Sequence, residues 1–129
     1  MSTPTNMMYT KSHEWVLFED ESKQAATVGL TDFAQHALGS LVYVNLPGAG
    51  DSVTAGEGLC DVESVKSVSD VYSPVSGTVS EVNDDVAAAP EKINEDPYGS
   101  WLVKITGITQ VNDLMNAADY DAFCATEGH

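Results

Sequence analysis

Val62-Glu63-Ser64-Val65-Lys66-Ser67-Val68-Ser69-Asp70-Val71 can be parsed in two ways. Valine returns at Val62, Val65, Val68 and Val71, a spacing near that of an amphipathic helix. The residue types oppose that reading. Valine loses side-chain freedom in a helix, serine competes for backbone hydrogen bonds, and the stretch has no cap. Two short β-branched strands meeting at a tight turn fit better, with Lys66 at or near the tip. Lys66 is also the only lysine between Lys23 and Lys92. An ε-amine in that position is open to a modifying enzyme. Acylation by a carboxylic-acid cofactor would turn it into a long, uncharged tether, and a tether raises the local concentration of its cargo at each partner's site. The plainer alternative is a solvated lysine on an acidic surface, and the spacing alone leaves both open.

The pattern of short strands extends on both sides. Leu41-Val42-Tyr43-Val44 reads as a strand, Leu46-Pro47-Gly48-Ala49-Gly50 as a turn, and Gly56-Glu57-Gly58 as another before Leu59-Cys60-Asp61-Val62. Downstream, Ser73-Pro74-Val75-Ser76-Gly77 punctuates, Thr78-Val79-Ser80-Glu81-Val82 is a strand, and Trp101-Leu102-Val103-Lys104-Ile105 closes the set. Many short strands with frequent Gly and Pro turns predict a mainly β fold, a sandwich or flattened barrel. Before it, Glu14–Phe18 and Ala25–Leu30 predict a hairpin. Thr31 then caps a short helix with an apolar stripe of Phe33, Ala34, Ala37 and Leu38, stopped by Gly39. After it, Val111 through Tyr120, Phe123 and Cys124 have helical spacing. A faint repeat at an offset of 38 residues matches Gly39 with Gly77, Val44-Asn45 with Val82-Asn83, and Val65-Lys66 with Val103-Lys104.

The totals narrow the function classes. In 129 residues there are 20 acidic side chains, five lysines and no arginine, a formal net charge of −15. That surface repels phosphate backbones and anionic lipid, so neither nucleic acid nor membrane is an expected partner. Its acidity either serves solubility alone or steers docking onto basic protein faces. No apolar run approaches the ~18 residues needed to span a bilayer, and Met1–Asn6 lacks the basic and apolar regions of a signal peptide. Cys60 and Cys124 form no C-x-x-C and read as free, buried thiols. His13 reads as packing or surface, and His36 and His129 lack ligand spacing, so no metal site is expected. No nucleophile elbow, phosphate loop or dinucleotide fingerprint is present.

Longer words in the chain resemble the glycine cleavage H-protein family of lipoyl carriers. They are Tyr9-Thr10-Lys11-Ser12-His13-Glu14-Trp15-Val16, Val28-Gly29-Leu30-Thr31-Asp32-Phe33-Ala34-Gln35 and Leu38-Gly39-Ser40-Leu41-Val42-Tyr43-Val44. The centre is Val62-Glu63-Ser64-Val65-Lys66-Ser67, continuing from Ser69 to Gly77. The words resume at Ile93-Asn94-Glu95-Asp96-Pro97-Tyr98-Gly99 and Trp101-Leu102. Biotin carriers typically flank the lysine with methionine, and lipoyl domains of 2-oxo acid dehydrogenases place aspartate before it. Val65 and Ser67 depart from both.

The resemblance implies a lipoyl/biotinyl-type β-sandwich, a barrel-sandwich hybrid, with short helices and a C-terminal helix. One lipoyl-carrier domain would fill residues 1–129: hairpin and helix over 9–39, sandwich core over 40–106, helical segment over 110–125. It implies lipoic acid in amide linkage to Lys66. The carrier would take an aminomethyl group from pyridoxal-phosphate-dependent glycine decarboxylase to a tetrahydrofolate-dependent aminomethyltransferase. Dihydrolipoamide dehydrogenase would then reoxidise the dithiol, and a lipoyl- or octanoyl-attaching enzyme would install the arm. The carrier itself, expected to be a monomer, catalyses none of these steps. The setting would be bacterial cytoplasm, or the mitochondrial matrix for a mature eukaryotic chain. A relay of lipoyl groups to 2-oxo acid dehydrogenase complexes is the alternative role. Loaded cargo can lose its methylene to water, so a dry cleft is expected to shelter it, and the resemblance puts Ser12, Glu14 and Asp70 beside it. Trp15 and Trp101 are expected in the core.

Overall fold

The computed structural model describes residues 3–127, and in them the β-branched runs do become strands. In chain order the elements are β1 (Met8–Tyr9), β2 (Glu14–Phe18), β3 (Ala25–Leu30), α1 (Asp32–Leu38), β4 (Leu41–Asn45), β5 (Ser52–Val53), β6 (Gly58–Ser64), β7 (Val68–Tyr72) and β8 (Val75–Val82). Then come α2 (Asp84–Ala88), α3 (Glu91–Glu95), β9 (Val103–Val111) and α4 (Ala117–Glu127). Two antiparallel sheets result. The larger runs β1-β2-β3-β9-β8-β5 and the smaller β4-β6-β7. The expected mainly β sandwich with short helices and a C-terminal helix is therefore what forms.

Period-two alternation decides what lies between the sheets. Val16 and Val28 of the larger sheet, with Val79 and Ile105, meet Val44, Val62 and Val71 of the smaller one in one buried cluster. The opposite face of β1 and β2 is not left to water. Tyr9 and Trp15 are buried there against Ala117 and Tyr120 of α4. Trp15 has the closest fit. Its partner across the β2–β3 ladder is Gly29, where a Cβ would stand 2.5 Å from the indole, and its Nε1 donates to the Pro97 carbonyl at 3.1 Å. Trp101 is only half-buried, with Lys104 Nζ 4.9 Å above its ring.

The helix read from its caps is present. Thr31 Oγ1 accepts from Ala34 N–H at 3.2 Å, and Gly39, at φ 84°, closes α1 by donating to the Gln35 carbonyl. Three features differ from the sequence reading. The N-terminal hairpin is not a separate unit before the core, because β3 pairs with β9 and so enters the larger sheet. The helical segment expected from residue 110 begins only at Ala117. Ile105-Thr106-Gly107-Ile108-Thr109-Gln110-Val111 is rich in β-branched residues and extends β9 to Val111, with Gly107 at φ 61° accommodating an irregular register against β8. The helix α2 was not foreseen; Asn83 caps it through Asp85 N–H, and Asp84 and Asp85 suit its first turn. The offset-38 repeat holds only in part. Val44-Asn45 and Val82-Asn83 both end strands, but Lys66 lies between strands while Lys104 lies inside one. No helix among the described residues is long and apolar enough to cross a membrane.

Candidate functional site

Lys66 stands in the three-residue turn between β6 and β7, at the end of the smaller sheet. Ser64 shapes that turn. Its N–H donates to the Ser67 carbonyl at 2.8 Å, and its Oγ accepts from the N–H groups of Lys66 (3.3 Å) and Ser67 (3.2 Å). The tip is anchored from one side, where Val65 N–H donates to the Ser40 carbonyl at 3.1 Å. Asn94 holds that side in turn, donating to the Gly39 carbonyl and accepting from Leu41 N–H. The Lys66 side chain itself is exposed, and no carboxylate among the described residues pairs with it. It passes over Gly39, where a Cβ would be 3.6 Å from Lys66 Cε. That is ordinary contact; what calls for glycine at this position is its φ of 84°. Val42, Tyr43, Val65 and Val68 are exposed around the tip.

Glu14 is the opposite kind of residue. It opens β2 and shares a face with Val16, so its side chain turns between the sheets rather than to water, and it is 1% exposed. Thr10 Oγ1 donates to its Oε1 at 2.6 Å and Ser12 Oγ donates to the same oxygen at 2.5 Å. From the smaller sheet, Tyr72 N–H reaches Oε2 at 3.4 Å. Burial pushes the carboxyl above the usual carboxylate range, and the Ser12, Thr10 and Tyr72 donors pull part of the way back. Glu14 lines a cleft of about 710 Å³ at the Tyr72 end of β7, away from Lys66, with Thr10, Ser12, Tyr72, Pro74 and Asn112 among the other walls.

The cleft's rim is fixed by a residue within the same word. His13 adopts φ 73°, a left-handed conformation that non-glycine residues seldom take. It is held there by stacking on Phe33 at 4.3 Å, by Tyr120 Oη 2.7 Å from its Nδ1, and by Glu127 Oε1 2.7 Å from its Nε2. Tyr120 Oη lies 2.7 Å from Thr31 Oγ1 as well. The turn bearing Ser12 and Glu14 is thereby tied to α4 and to the cap of α1. As expected, His13 packs; it does not line the cleft.

The expected site residues thus divide. Ser12 and Glu14 are in contact. Asp70 is exposed on the outward face of β7, across from Asp61 in the β6–β7 register, beside a separate shallow depression with Asn45. Thr10, Ser64, Asn94 and Gly39 were missed as site residues. Ser64 carried a local signal, a serine two positions before the lysine at a turn. The others act through contacts that only the fold creates. Cys60 and Cys124 are free thiols but half-buried rather than buried. No cluster of His, Cys, Asp and Glu among the described residues could hold a metal ion.

Residues 7–127 match the family described as Glycine cleavage H-protein. A glycine cleavage system H protein from Lachnoclostridium phytofermentans is 54% identical over 127 residues, 98% of each chain. One from Deinococcus radiodurans is 49% identical over 122 residues, 94% of this chain and 96% of that one. A crystal structure of a glycine cleavage system H protein from Mycobacterium marinum superposes with a TM-score of 0.87 at 38% identity, covering 98% of this chain and 99% of that one. A lysine at a hairpin tip, a carboxylate buried in a cleft on the same sandwich, and a likeness running the length of the chain have one common explanation: this chain belongs to the glycine cleavage H-protein family.

Proposed function

We propose that Lys66 bears the lipoyl group and that the Glu14 cleft is where its cargo rests between partners. The chain is a lipoyl carrier protein of glycine cleavage. The observation that carries the residue assignment is the contrast at Lys66: a rigid turn, held by Ser64 and Ser40, presents an exposed amine without an ion pair among the described residues. These residues fit an amide-linked group. The backbone of the turn is fixed by hydrogen bonds, and the side chain is exposed and without an ion pair among the described residues.

A bound lipoyl group supplies a disulfide that can accept a one-carbon amine unit. The protein supplies the rest. Lys66 anchors the arm. Tyr72, at the far end of β7, lies six residues on, roughly 20 Å at the rise of a strand; the tether must cover most of that span to reach Glu14. The cleft shelters one side of the cargo from bulk water, and the buried carboxylate of Glu14 receives its cationic end. Asp70, outside this cleft, is read instead as part of the outward acidic face with Asp61 and Glu63.

The carrier has no catalytic role in this reading. Glycine decarboxylase, aminomethyltransferase, dihydrolipoamide dehydrogenase and the lipoyl- or octanoyl-attaching enzyme are its partners, and its net charge of −15 favours basic faces on them. In this reading the 129 residues act as one carrier domain, in bacterial cytoplasm or, for a mature eukaryotic chain, in the mitochondrial matrix. Intact-mass measurement after treatment with a lipoyl-attaching enzyme tests the assignment. Wild type should gain one lipoyl increment and Lys66→Arg none; an increment retained in Lys66→Arg would move the site elsewhere.

A further inference from the structure

We propose that Thr10 is a positioning residue for the cargo: its hydroxyl joins that of Ser12 in occupying Oε1 of Glu14, which leaves Oε2 to receive a primary ammonium. The proposal rests on reading the cleft as the cargo's resting place.

A carboxylate oxygen offers about two lone-pair directions. On Oε1 both are taken, by Thr10 at 2.6 Å and Ser12 at 2.5 Å. Oε2 has one N–H at 3.4 Å, at the long edge of hydrogen bonding. The two oxygens are therefore unequal, and capacity for a further short bond lies on Oε2. Thr10 is what holds this asymmetry. Its Oγ1 accepts the Glu14 N–H at 3.0 Å while donating its single proton to Oε1 at 2.6 Å. Its backbone is clamped at both groups: the N–H donates to the Glu14 carbonyl at 3.0 Å, and the carbonyl accepts from His13 N–H at 3.2 Å. Ser12 Oγ, 3.3 Å from Thr10 Oγ1, stands against the same hydroxyl. The ring Thr10–Ser12–Glu14 thus sets the carboxylate plane before any cargo arrives. A preset acceptor gives a directional, charge-assisted bond without reorganising when the ammonium docks. Burial raises the Glu14 carboxyl and the hydroxyl donors lower it, so Thr10 also keeps more of it ionised.

A hairpin-stabilising role alone would predict lower stability and nothing more when the hydroxyl is removed. The test separates the two. In the unmodified protein, the Glu14 side-chain carboxyl is titrated by carbon NMR in wild type, Thr10→Val and Thr10→Ser. In the loaded protein, release of labelled one-carbon unit to water is timed for the same three and for Glu14→Ala. Thr10→Val should raise the titration midpoint and speed release roughly tenfold, about the worth of one hydrogen bond to a charged group. Thr10→Ser should restore both. Should valine crowd the turn, Thr10→Ala carries the same comparison. If neither readout moves in Thr10→Val while Glu14→Ala releases faster, Thr10 has no positioning role and the cleft reading stands. If Glu14→Ala releases at the wild-type rate, the cleft reading fails and the proposal falls with it.

Discussion

At one end of β7 stands Lys66, in a short turn flanked by the exposed Val65 and Val68; at the other, Tyr72 gives its N–H to Glu14, the most enclosed carboxylate of the described residues. The two ends of one strand are built to opposite specifications. At the tip, backbone hydrogen bonds through Ser64 fix the chain while the side chain is left to water. At the cleft, the side chain is fixed by two hydroxyls, and its burial works against its own charge. A carrier needs both. A tethered group must move freely from its anchor, and it must find at the other end an acceptor that does not move. The difference teaches which part of this fold tolerates change and which does not.

The sharpest way to break the contrast is chemical. Cys60 lies on β6, four residues before the strand ends at Ser64. Burial, then the neighbouring Asp61 and Glu14, push its thiol up to about 12 from 9.0. Thiolate is the reactive form, and a rise of that size cuts its fraction about a thousandfold. In the proposed reading, where the arm holds a disulfide, that inertness prevents exchange with a nearby thiolate. In a Cys124→Ser background, Cys60 should alkylate roughly 30- to 60-fold more slowly at about pH 8 than a thiol introduced at the tip by Ser67→Cys, because the greater intrinsic nucleophilicity of a high-pKa thiolate offsets part of its scarcity. Comparable rates, followed by quenched mass measurement on the folded protein, would show that the strand is no more closed than the turn.

A second test compares packing. Val65→Ala at the tip should change stability by no more than about 0.5 kcal/mol, since the side chain is 72% exposed. Gly29→Ala adds one methyl where the Trp15 indole already lies 2.5 Å away, and Trp15 can retreat only by disturbing its bond to Pro97. Overpacking of that kind costs about 1–3 kcal/mol. Urea denaturation of both variants checks the pair. Similar losses would mean that the tip contributes to the core, contrary to its exposure.

What could be read in advance follows the same division. The tip was legible because its cause is local. Val and Ser on both sides of Lys66 argue against helix, and a serine and a lysine in sequence are a serine and a lysine at a turn. The cap at Thr31 and stop at Gly39 were legible for the same reason. The cleft was not. Thr10 meets Glu14 because a tight turn with His13 in a left-handed conformation folds one onto the other, and Tyr72 arrives from a different sheet. The resemblance set Asp70 beside Glu14, but strand alternation turns Asp70 outward while Val71 goes in. The length of β9 also escaped, because its pairing partners in β3 and β8 are remote in sequence.

The subtlest test asks whether the cleft end weakens the fold. Glu14 has its carboxyl raised on folding, chiefly by burial. A group raised in the folded state contributes stability that is fully present below its unfolded value of about 4.5 and is lost as pH rises through the higher folded value. A glutamine side chain does not titrate, so Glu14→Gln removes this dependence while keeping an oxygen for the two hydroxyls. The stability of Glu14→Gln relative to wild type should therefore climb with pH from the ordinary carboxylate range upward and then level off. Denaturation midpoints of the two proteins across that range measure it, with the histidine contributions common to both. A difference that instead falls with pH would mean that the Thr10, Ser12 and Tyr72 donors outweigh burial, and that Glu14 is a stabilising hydrogen-bond hub like any other. A climbing difference means the fold retains at its cleft a charge that costs it stability, whereas the lysine at its tip stays in water. Only the first of these needs a function to explain its presence in the folded protein, and that is the stronger reason for assigning Glu14 to the cargo.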